Sequence, residues 1–285
     1  MTGLISALPS SPPGRTGWPW TEETPPDVYA ELPKSGSWPK ISIVCPSFRQ
    51  GLFIEETIRS VLLQNYPAIE FIILDGGSDD ETVPILKKYS LWLSHWESEP
   101  DRGQAHALNK GYARANGELF GWINSDDYYQ PGAFVAVAQR CRPGRRELYF
   151  GDYDVRHGDE SALRREHLLP AFAFQVAVGG RTLPSHATFW PRYVHQPFNE
   201  SLQFIMDADF FKRLGRSGVR PRYIARSLSV FREHPAAKST VINDVARNET
   251  ANWFNRAPWH YRLLYRSSLM IDRLRRFKQN HEPFA

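Results

Sequence analysis

Between Ile41 and Ile123 the apolar residues follow two alternating patterns, short continuous runs and runs at helical spacing. Ile41-Ser42-Ile43-Val44-Cys45-Pro46-Ser47 is a short β-rich run, expected to stop at its proline. Past Phe48-Arg49-Gln50-Gly51, the residues Ile54, Ile58, Val61 and Leu62 predict a helix. Glu55 and Glu56 favour its start through the helix dipole, and Asn65-Tyr66-Pro67 ends it. Ile69 to Leu74 is continuous in Ile, Phe and Leu, as a parallel strand buried on both faces should be. It terminates at Asp75-Gly76-Gly77-Ser78-Asp79-Asp80, and Thr82 to Tyr89 predicts the next helix. Leu91-Trp92-Leu93 and the loop Ser98-Glu99-Pro100-Asp101-Arg102-Gly103 precede a helix over Gln104 to Asn116, which Gly117 is expected to close. The run Glu118 to Ile123 then reads as a buried strand. It breaks into Asn124-Ser125-Asp126-Asp127, followed by Tyr128, Tyr129 and the turn signal Pro131-Gly132.

Repeated strand, turn and helix predict a doubly wound α/β half. Beyond Pro131 the alternation loosens. A helix is expected near Ala133 to Arg140, strands near Leu148 to Asp154 and Ser185 to Trp190, a helix near Met206 to Leu214 and an extended run over Tyr223 to Phe231. That suits the mixed-sheet second half of one domain. Residues 1–40, rich in Pro, Ser, Gly and Thr, form an N-terminal extension, and Trp18, Trp20 and Trp38 argue that parts of it lie against the domain. The expected organisation is an extension over 1–40, a domain over 41–235 divided into halves 41–130 and 131–235, and a tail over 236–285.

A chain of 285 residues with 41% hydrophobic and 13% aromatic residues can bury a sizeable core and still line a cleft with rings. No apolar run approaches the ~18 residues of a membrane span. No basic segment followed by an apolar one marks a signal peptide at the start. Cys45 and Cys141 alone make no disulfide framework, which favours a reducing cytoplasm. The net charge of +4 gives no indication of nucleic acid as a partner.

The chemistry gathers where strands end. In open α/β sheets ligands bind beyond the carboxyl ends of the strands. Asp75, the nearby Asp101, and Asp126 with Asp127 all stand at such ends. Adjacent carboxylates repel and gain most by sharing a hard cation such as Mg²⁺ or Mn²⁺, completed by substrate phosphates. An isolated Asp-Asp pair would read as a solvated turn; several acids around one sheet edge define a candidate site. Neither a GxxxxGK[ST] phosphate loop nor a GxGxxG turn occurs, which removes kinase and dehydrogenase readings.

In order along the chain, Ile43-Val44-Cys45-Pro46-Ser47-Phe48, Glu56-Thr57-Ile58-Arg59-Ser60-Val61, Leu74-Asp75-Gly76-Gly77-Ser78, Glu99-Pro100-Asp101-Arg102-Gly103, Ala107-Leu108-Asn109-Lys110-Gly111 and Trp122-Ile123-Asn124-Ser125-Asp126-Asp127 resemble the family-2 glycosyltransferases. The resemblance covers about Ile41 to Leu214. It implies a GT-A type fold, a Rossmann-like mixed sheet flanked by helices, and inverting transfer from a nucleoside diphosphate sugar, with a UDP-sugar the preferred donor. Pro46 and Ser47 would line the base and ribose pocket, Asp75 would accept from a base N–H, and Gly76 and Gly77 would give the backbone room beneath the nucleotide. Asp101 and Arg102 would face the diphosphate. Asn124 occupies the first acidic position of the family's DxD motif, so Asp127 is the expected ligand of Mn²⁺ or Mg²⁺, and Asp126 a ribose contact or second ligand. Arg49 stands where the family commonly has Asn.

Inverting transfer also needs a base for the acceptor hydroxyl. The family supplies an Asp at the start of a late helix, and Asn199-Glu200-Ser201-Leu202 with Ile205-Met206-Asp207-Ala208-Asp209-Phe210-Phe211 resembles that region. Asp207 is the expected base and Asp209 the alternative two residues on. From the residues alone, Asp207 reads first as an acid favoured by the helix dipole. Asp152, His186, Arg232 and His234 are further candidates for donor or acceptor contacts, against strand-end, core or surface roles. The acceptor expected from the resemblance is a glycan, lipid-linked glycan or glycolipid. The tail over 253–278 interleaves Trp259, Leu263, Met270 and Leu274 with Arg262, Arg266, Arg273 and Arg275, a pattern that suits an anionic membrane face, the domain surface or a partner subunit. The expected location is cytoplasmic, with peripheral contact at the inner membrane face as one of the alternative readings of this tail. A sugar nucleotidyltransferase and a catalytically silent nucleotide-sugar module are the rival readings. The first wants a Gly-rich triphosphate loop, for which Pro46-Ser47-Phe48-Arg49-Gln50-Gly51 is a poor match.

Overall fold

The computed structural model describes residues 3–33, 36–158, 163–168, 183–238 and 243–255. Among these, strands β1 (Ile41–Ser47), β2 (Ile69–Asp75), β3 (His95–Ser98) and β4 (Leu119–Trp122) pair in parallel in the order β3-β2-β1-β4. The sheet continues from β4 through the antiparallel β8 (Thr188–Pro191) to β6 (Glu147–His157), β9 (Arg220–Glu233) and β5 (Tyr128–Tyr129), with β7 (Leu163–Glu166) beside β6. Beyond β4 the antiparallel pairs β4–β8, β8–β6 and β9–β5 flank the parallel pair β6–β9, so the mixed sheet expected from the loosening pattern is present.

Burial explains why the first half was legible. Every residue of β1 is buried, and its alternate side chains enter two different cores. Ile41, Ile43 and Cys45 join α1 (Ile54–Leu62), α2 (Thr82–Tyr89) and α4 (Ala133–Arg140) on one face. Val44, with Ile72 and Leu74 of β2, packs with α3 (Gln104–Arg114) and α5 (Met206–Arg216) on the other. A strand covered on both faces has no polar side, which produces the continuous apolar run.

Pro46 does not stop β1. The Val44 carbonyl accepts from Ile123 N on the β4 side, and two residues on Pro46 faces that same side, where β4 has already ended opposite Val44. Its missing N–H therefore removes no ladder bond. Gly117 also differs from expectation. Helix α3 closes at Ala115 with extended backbone, and a Cβ at Gly117 would lie 2.5 Å from Ser42 Oγ and 2.8 Å from the Lys40 carbonyl. The glycine permits close approach to β1; it is not a left-handed cap.

The N-terminal arm is clamped onto the domain. Arg59, buried in α1, donates to the Pro9, Pro19 and Trp20 carbonyls and to Tyr89 Oη. Trp18 Nε1 donates to the Tyr129 carbonyl, and Tyr29 Oη to that of Gln64. A guanidinium has five donors and no acceptor, so a cage of carbonyls satisfies it without a carboxylate. Beyond β9, α6 (Asn243–Asn255) carries the chain to the last described residue. The amphipathic stretch expected over 253–278 lies outside the described residues after Asn255.

Candidate active site

The chain leaves β1 for β2 and β3 on one side and returns to β4 on the other, so the topological switch point lies between β1 and β4. Ser47 and Asp75 are paired in register at the ends of β1 and β2, and Asn124 to Asp127 follow β4. All belong to one edge of the sheet.

Asp75 is buried, and three donors fix its carboxylate: Ser78 N at 2.8 Å, Ser78 Oγ at 2.6 Å and Ser98 Oγ at 2.6 Å. Ser98 ends β3, the short half-buried edge strand that the residue pattern did not reveal. Gly77 has φ of 82°, a turn only glycine makes without strain, and a Cβ on Gly76 would come within 3.3 Å of Phe48 and 3.2 Å of Asp101 Oδ2. Phe48 remains 54% exposed, a ring held over a glycine floor. Beside it, Ser47 Oγ is buried and has no protein hydrogen-bond partner, and Pro46 ends the same wall. Arg49 has φ of 53°, a left-handed conformation that Asn tolerates better than most residues, and it compensates with a two-bond ion pair to Asp79 at 2.8 and 2.9 Å.

On the facing loop, Asp101 Oδ1 accepts from Gly103 N at 2.7 Å. Arg102 reaches the segment before α5, where it pairs with Glu200 at 2.6 Å. Glu200 also accepts from Asn109 Nδ2 at 2.9 Å.

The turn after β4 separates its two acids. Thr57 Oγ1 of α1 contacts the Ser125 and Asp127 carbonyls and holds the turn from below. Asp127 is fully buried, its Oδ1 accepting from Arg232 N at 3.0 Å and its Oδ2 facing Asn124 Nδ2 at 3.3 Å. Burial, then the charge of Asp126, pushes its carboxyl well above the usual range. Asp126 is the more accessible acid, with Oδ2 3.2 Å from His234 Nε2. Asp127 is thus the enclosed acid that braces the turn, and Asp126 is the more exposed of the two. Arg232 contacts this turn as well. It is buried on β9, ion-paired with Glu56 at 2.6 Å, donates to the Asp126 carbonyl and lies over the rings of Phe53 and Tyr128.

Asp207 lies in the first turn of α5, where Oδ1 accepts from Ala208 N at 2.7 Å. Asp209 is engaged elsewhere, with Arg213 at 2.8 Å, whose guanidinium also holds Gln196 and the Pro197 carbonyl. Two residues without a sequence signal connect the halves. Gln104, first in α3, donates to Asn124 Oδ1 at 2.6 Å and accepts from Lys238 Nζ at 2.7 Å. The Lys238 ammonium in turn interacts electrostatically with Asp207, Glu249 and Asp101.

Asp152 and His186 both bond to interior partners. Asp152 is buried and accepts from Leu168 N and Tyr223 Oη while pairing with His167 at 2.9 Å, so its oxygens tie β6 to β9 and to the segment after β7. His186 is a core histidine, with Nδ1 2.7 Å from Ser229 Oγ and its ring between Tyr153 and Phe231. Burial lowers it to about 4 against an opposing pull from Asp126. A base lowered in the folded state gives stability that is complete above the unfolded value near 6.5 and is lost as pH falls toward 4, because the unfolded chain takes up the proton first. Wild type should therefore lose about 2 kcal/mol at pH 5 through this residue. Denaturant unfolding at pH 7 and pH 5 should show a smaller difference in His186→Gln; an unchanged difference would remove His186 as its source.

A parallel half ordered β3-β2-β1-β4, a mixed extension beyond it and acids at the switch point form the architecture of the GT-A glycosyltransferases. The chain belongs to glycosyl transferase family 2, whose sequence model matches residues 42–211. An uncharacterized glycosyltransferase of Mycobacterium tuberculosis is 36% identical over 110 residues, which are 38% of this chain and 42% of that relative. The uncharacterized glycosyltransferase EpsJ of Bacillus subtilis is 23% identical over 235 residues, 74% of this chain and 66% of EpsJ. The chain thus spans less than half the length of the mycobacterial protein. Among solved structures, residues 1–349 of S. aureus TarS superpose with a TM-score of 0.54 at 17% identity, over 79% of this chain and 69% of that one. GalNAc-T7, solved with UDP, GalNAc and Mn²⁺, gives 0.55 at 15% identity over 69% and 44%.

Proposed function

We propose that this chain transfers a sugar, with inversion, from a nucleoside diphosphate donor to an acceptor hydroxyl. The observation that carries the proposal is the Gln104 bridge. Its amide joins Asn124, two residues before Asp126, to Lys238, whose ammonium interacts electrostatically with Asp101 and Asp207, which supports one site for the donor-side acids and the candidate base.

Phe48 and the Gly76–Gly77 turn accommodate a flat base, with Ser47 Oγ and Asp75 as polar contacts. The Asp126 carboxylate and His234 imidazole, 3.2 Å apart, are an O/N donor pair that suits Mn²⁺, with Mg²⁺ the harder alternative. A divalent ion held there would neutralise charge on the leaving diphosphate. Asp207 takes the acceptor proton as that oxygen attacks the anomeric carbon. Asp127, Arg232 and Glu56 keep the Asp126 turn in place.

TarS has also been solved with UDP-GlcNAc, and GalNAc-T7 with UDP and Mn²⁺, which makes a uridine donor the first to test. Acceptors of the glycan or lipid-linked class fit the family reading. Among the described residues no helix is long and apolar enough to cross a membrane, so contact with a lipid-linked acceptor would be peripheral. Calorimetry with UDP, GDP, dTDP and CDP, each with and without Mn²⁺, is expected to show Mn²⁺-dependent binding strongest for UDP. A folded chain that binds none of them would overturn the transferase reading.

A further inference from the structure

Helix α5 carries Asp207 in its first turn, and the residue at its N-terminal boundary, Ile205, makes no side-chain capping bond. The acceptor comes from a distant part of the chain. Glu249, in the middle of α6, accepts from Gln203 N at 2.8 Å through Oε1, and from Phe204 N at 2.9 Å and Ile205 N at 3.1 Å through Oε2. These are consecutive backbone donors, ending at the residue that caps α5 and stands two positions before Asp207.

We propose that Glu249 is a positioning residue: its carboxylate fixes the backbone entering α5 and thereby the place of Asp207 in the cleft. The inference rests on the reading of Asp207 as base. Three N–H groups converging on one half-buried carboxylate are charge-assisted bonds, and the negative charge also complements the positive end of the α5 dipole. Burial raises the Glu249 carboxyl, but these three N–H bonds and the charge of Lys238 outweigh it and hold the group below its ordinary range. Glu249 therefore stays ionised wherever a general-base carboxylate works.

The chain route explains why a capping group is imported. Residues 199–205 form an irregular connection held on its other side by Arg102–Glu200 and Asn109–Glu200. Glu200 thus ties this connection to the donor-side loop and α3, and Glu249 ties its last three residues to α6. The Lys238 ammonium interacts electrostatically with both Glu249 and Asp207. Glu249 lies beyond residue 211, where the match to the family model ends.

The test uses the full-length chain with Glu249→Ala and Glu249→Gln, the latter keeping one acceptor oxygen. UDP affinity in Mn²⁺ reports the donor site, amide hydrogen exchange at Gln203, Phe204 and Ile205 reports the clamp, and UDP release from UDP-GlcNAc, UDP-glucose and UDP-galactose reports turnover. Glu249→Ala is expected to exchange those amides at least about tenfold faster and to lower kcat by about 100-fold, with donor KM and UDP affinity within about twofold of wild type. Glu249→Gln should recover part of both losses. Unchanged exchange, or faster exchange with unchanged kcat, overturns the proposal. So does a parallel loss of UDP affinity, which marks a general structural role. Asp207→Asn separates the two readings: if it keeps its turnover, the base assignment fails whatever Glu249 does.

Discussion

Asp207→Asn is expected to lower turnover by about 10³-fold while leaving UDP affinity in Mn²⁺ within about twofold of wild type. The amide keeps the shape of the carboxylate and can still accept from Ala208 N, so the first turn of α5 is preserved. What disappears is the oxygen able to take a proton. Asp209→Asn is the internal control. Its carboxylate belongs to the Arg213 pair, and losing that partly exposed pair should cost about 1 kcal/mol of stability or less and little turnover. Steady-state release of UDP from a UDP-sugar panel measures the first quantity and calorimetry the second. Near-normal turnover in Asp207→Asn, or a larger loss in Asp209→Asn, would move the base elsewhere.

The second large effect separates the two acids after β4. Asp126→Ala should abolish the Mn²⁺ dependence of UDP binding, a loss of about 100-fold or more, because it removes the accessible carboxylate beside His234. Asp127→Asn should retain that dependence. Its carboxyl is pushed toward the neutral form by burial and by Asp126, and an amide oxygen can still accept from Arg232 N. Asp127→Ala should instead appear as instability of about 2 kcal/mol, the cost of leaving a buried N–H without a partner. Paired calorimetry and denaturant unfolding distinguish a lost ligand from a loosened turn. Mn²⁺-independent binding in Asp127→Asn, with Asp126→Ala unaffected, would restore the order expected from the motif.

Much of the parallel half was legible because two-sided burial leaves a direct trace. β1 and β2 read as apolar runs, and α2 and α4 begin and end where their spacing predicts. β3 and β7 were not legible. His95–Ser98 is half-buried throughout, and Leu163–Glu166 is an edge dominated by charged residues, so neither carries the alternation that marks a strand. Pro46 misled for a related reason. Whether a proline breaks a strand depends on which neighbour its nitrogen faces, and that neighbour, β4, is distant in sequence.

The site divides along the same line. Ser47, Asp75, Asp101, Asp126 and Asp207 are named by ordered motifs, and their placement at strand or helix ends follows from local pattern. Their separate duties do not. Asp126 and Asp127 are adjacent and chemically identical, and only the approach of β9, bringing Arg232 N to one and His234 to the other, tells them apart. Asp152 and His186 looked available in sequence and proved committed to interior partners. Gln104, Lys238 and Glu249 had no motif, because their chemistry arises from contacts across 134, 46 and 20 positions between Gln104 and Lys238, Gln203 and Glu249, and Gln104 and Asn124. By itself the sequence determined the family, the parallel nucleotide half and the residue types at its edge, since these depend on local periodicity and short ordered motifs. Only the tertiary structure decided which of Asp126 and Asp127 is buried and what holds the backbone before Asp207, since burial and hydrogen-bond partners are set by segments that meet through folding.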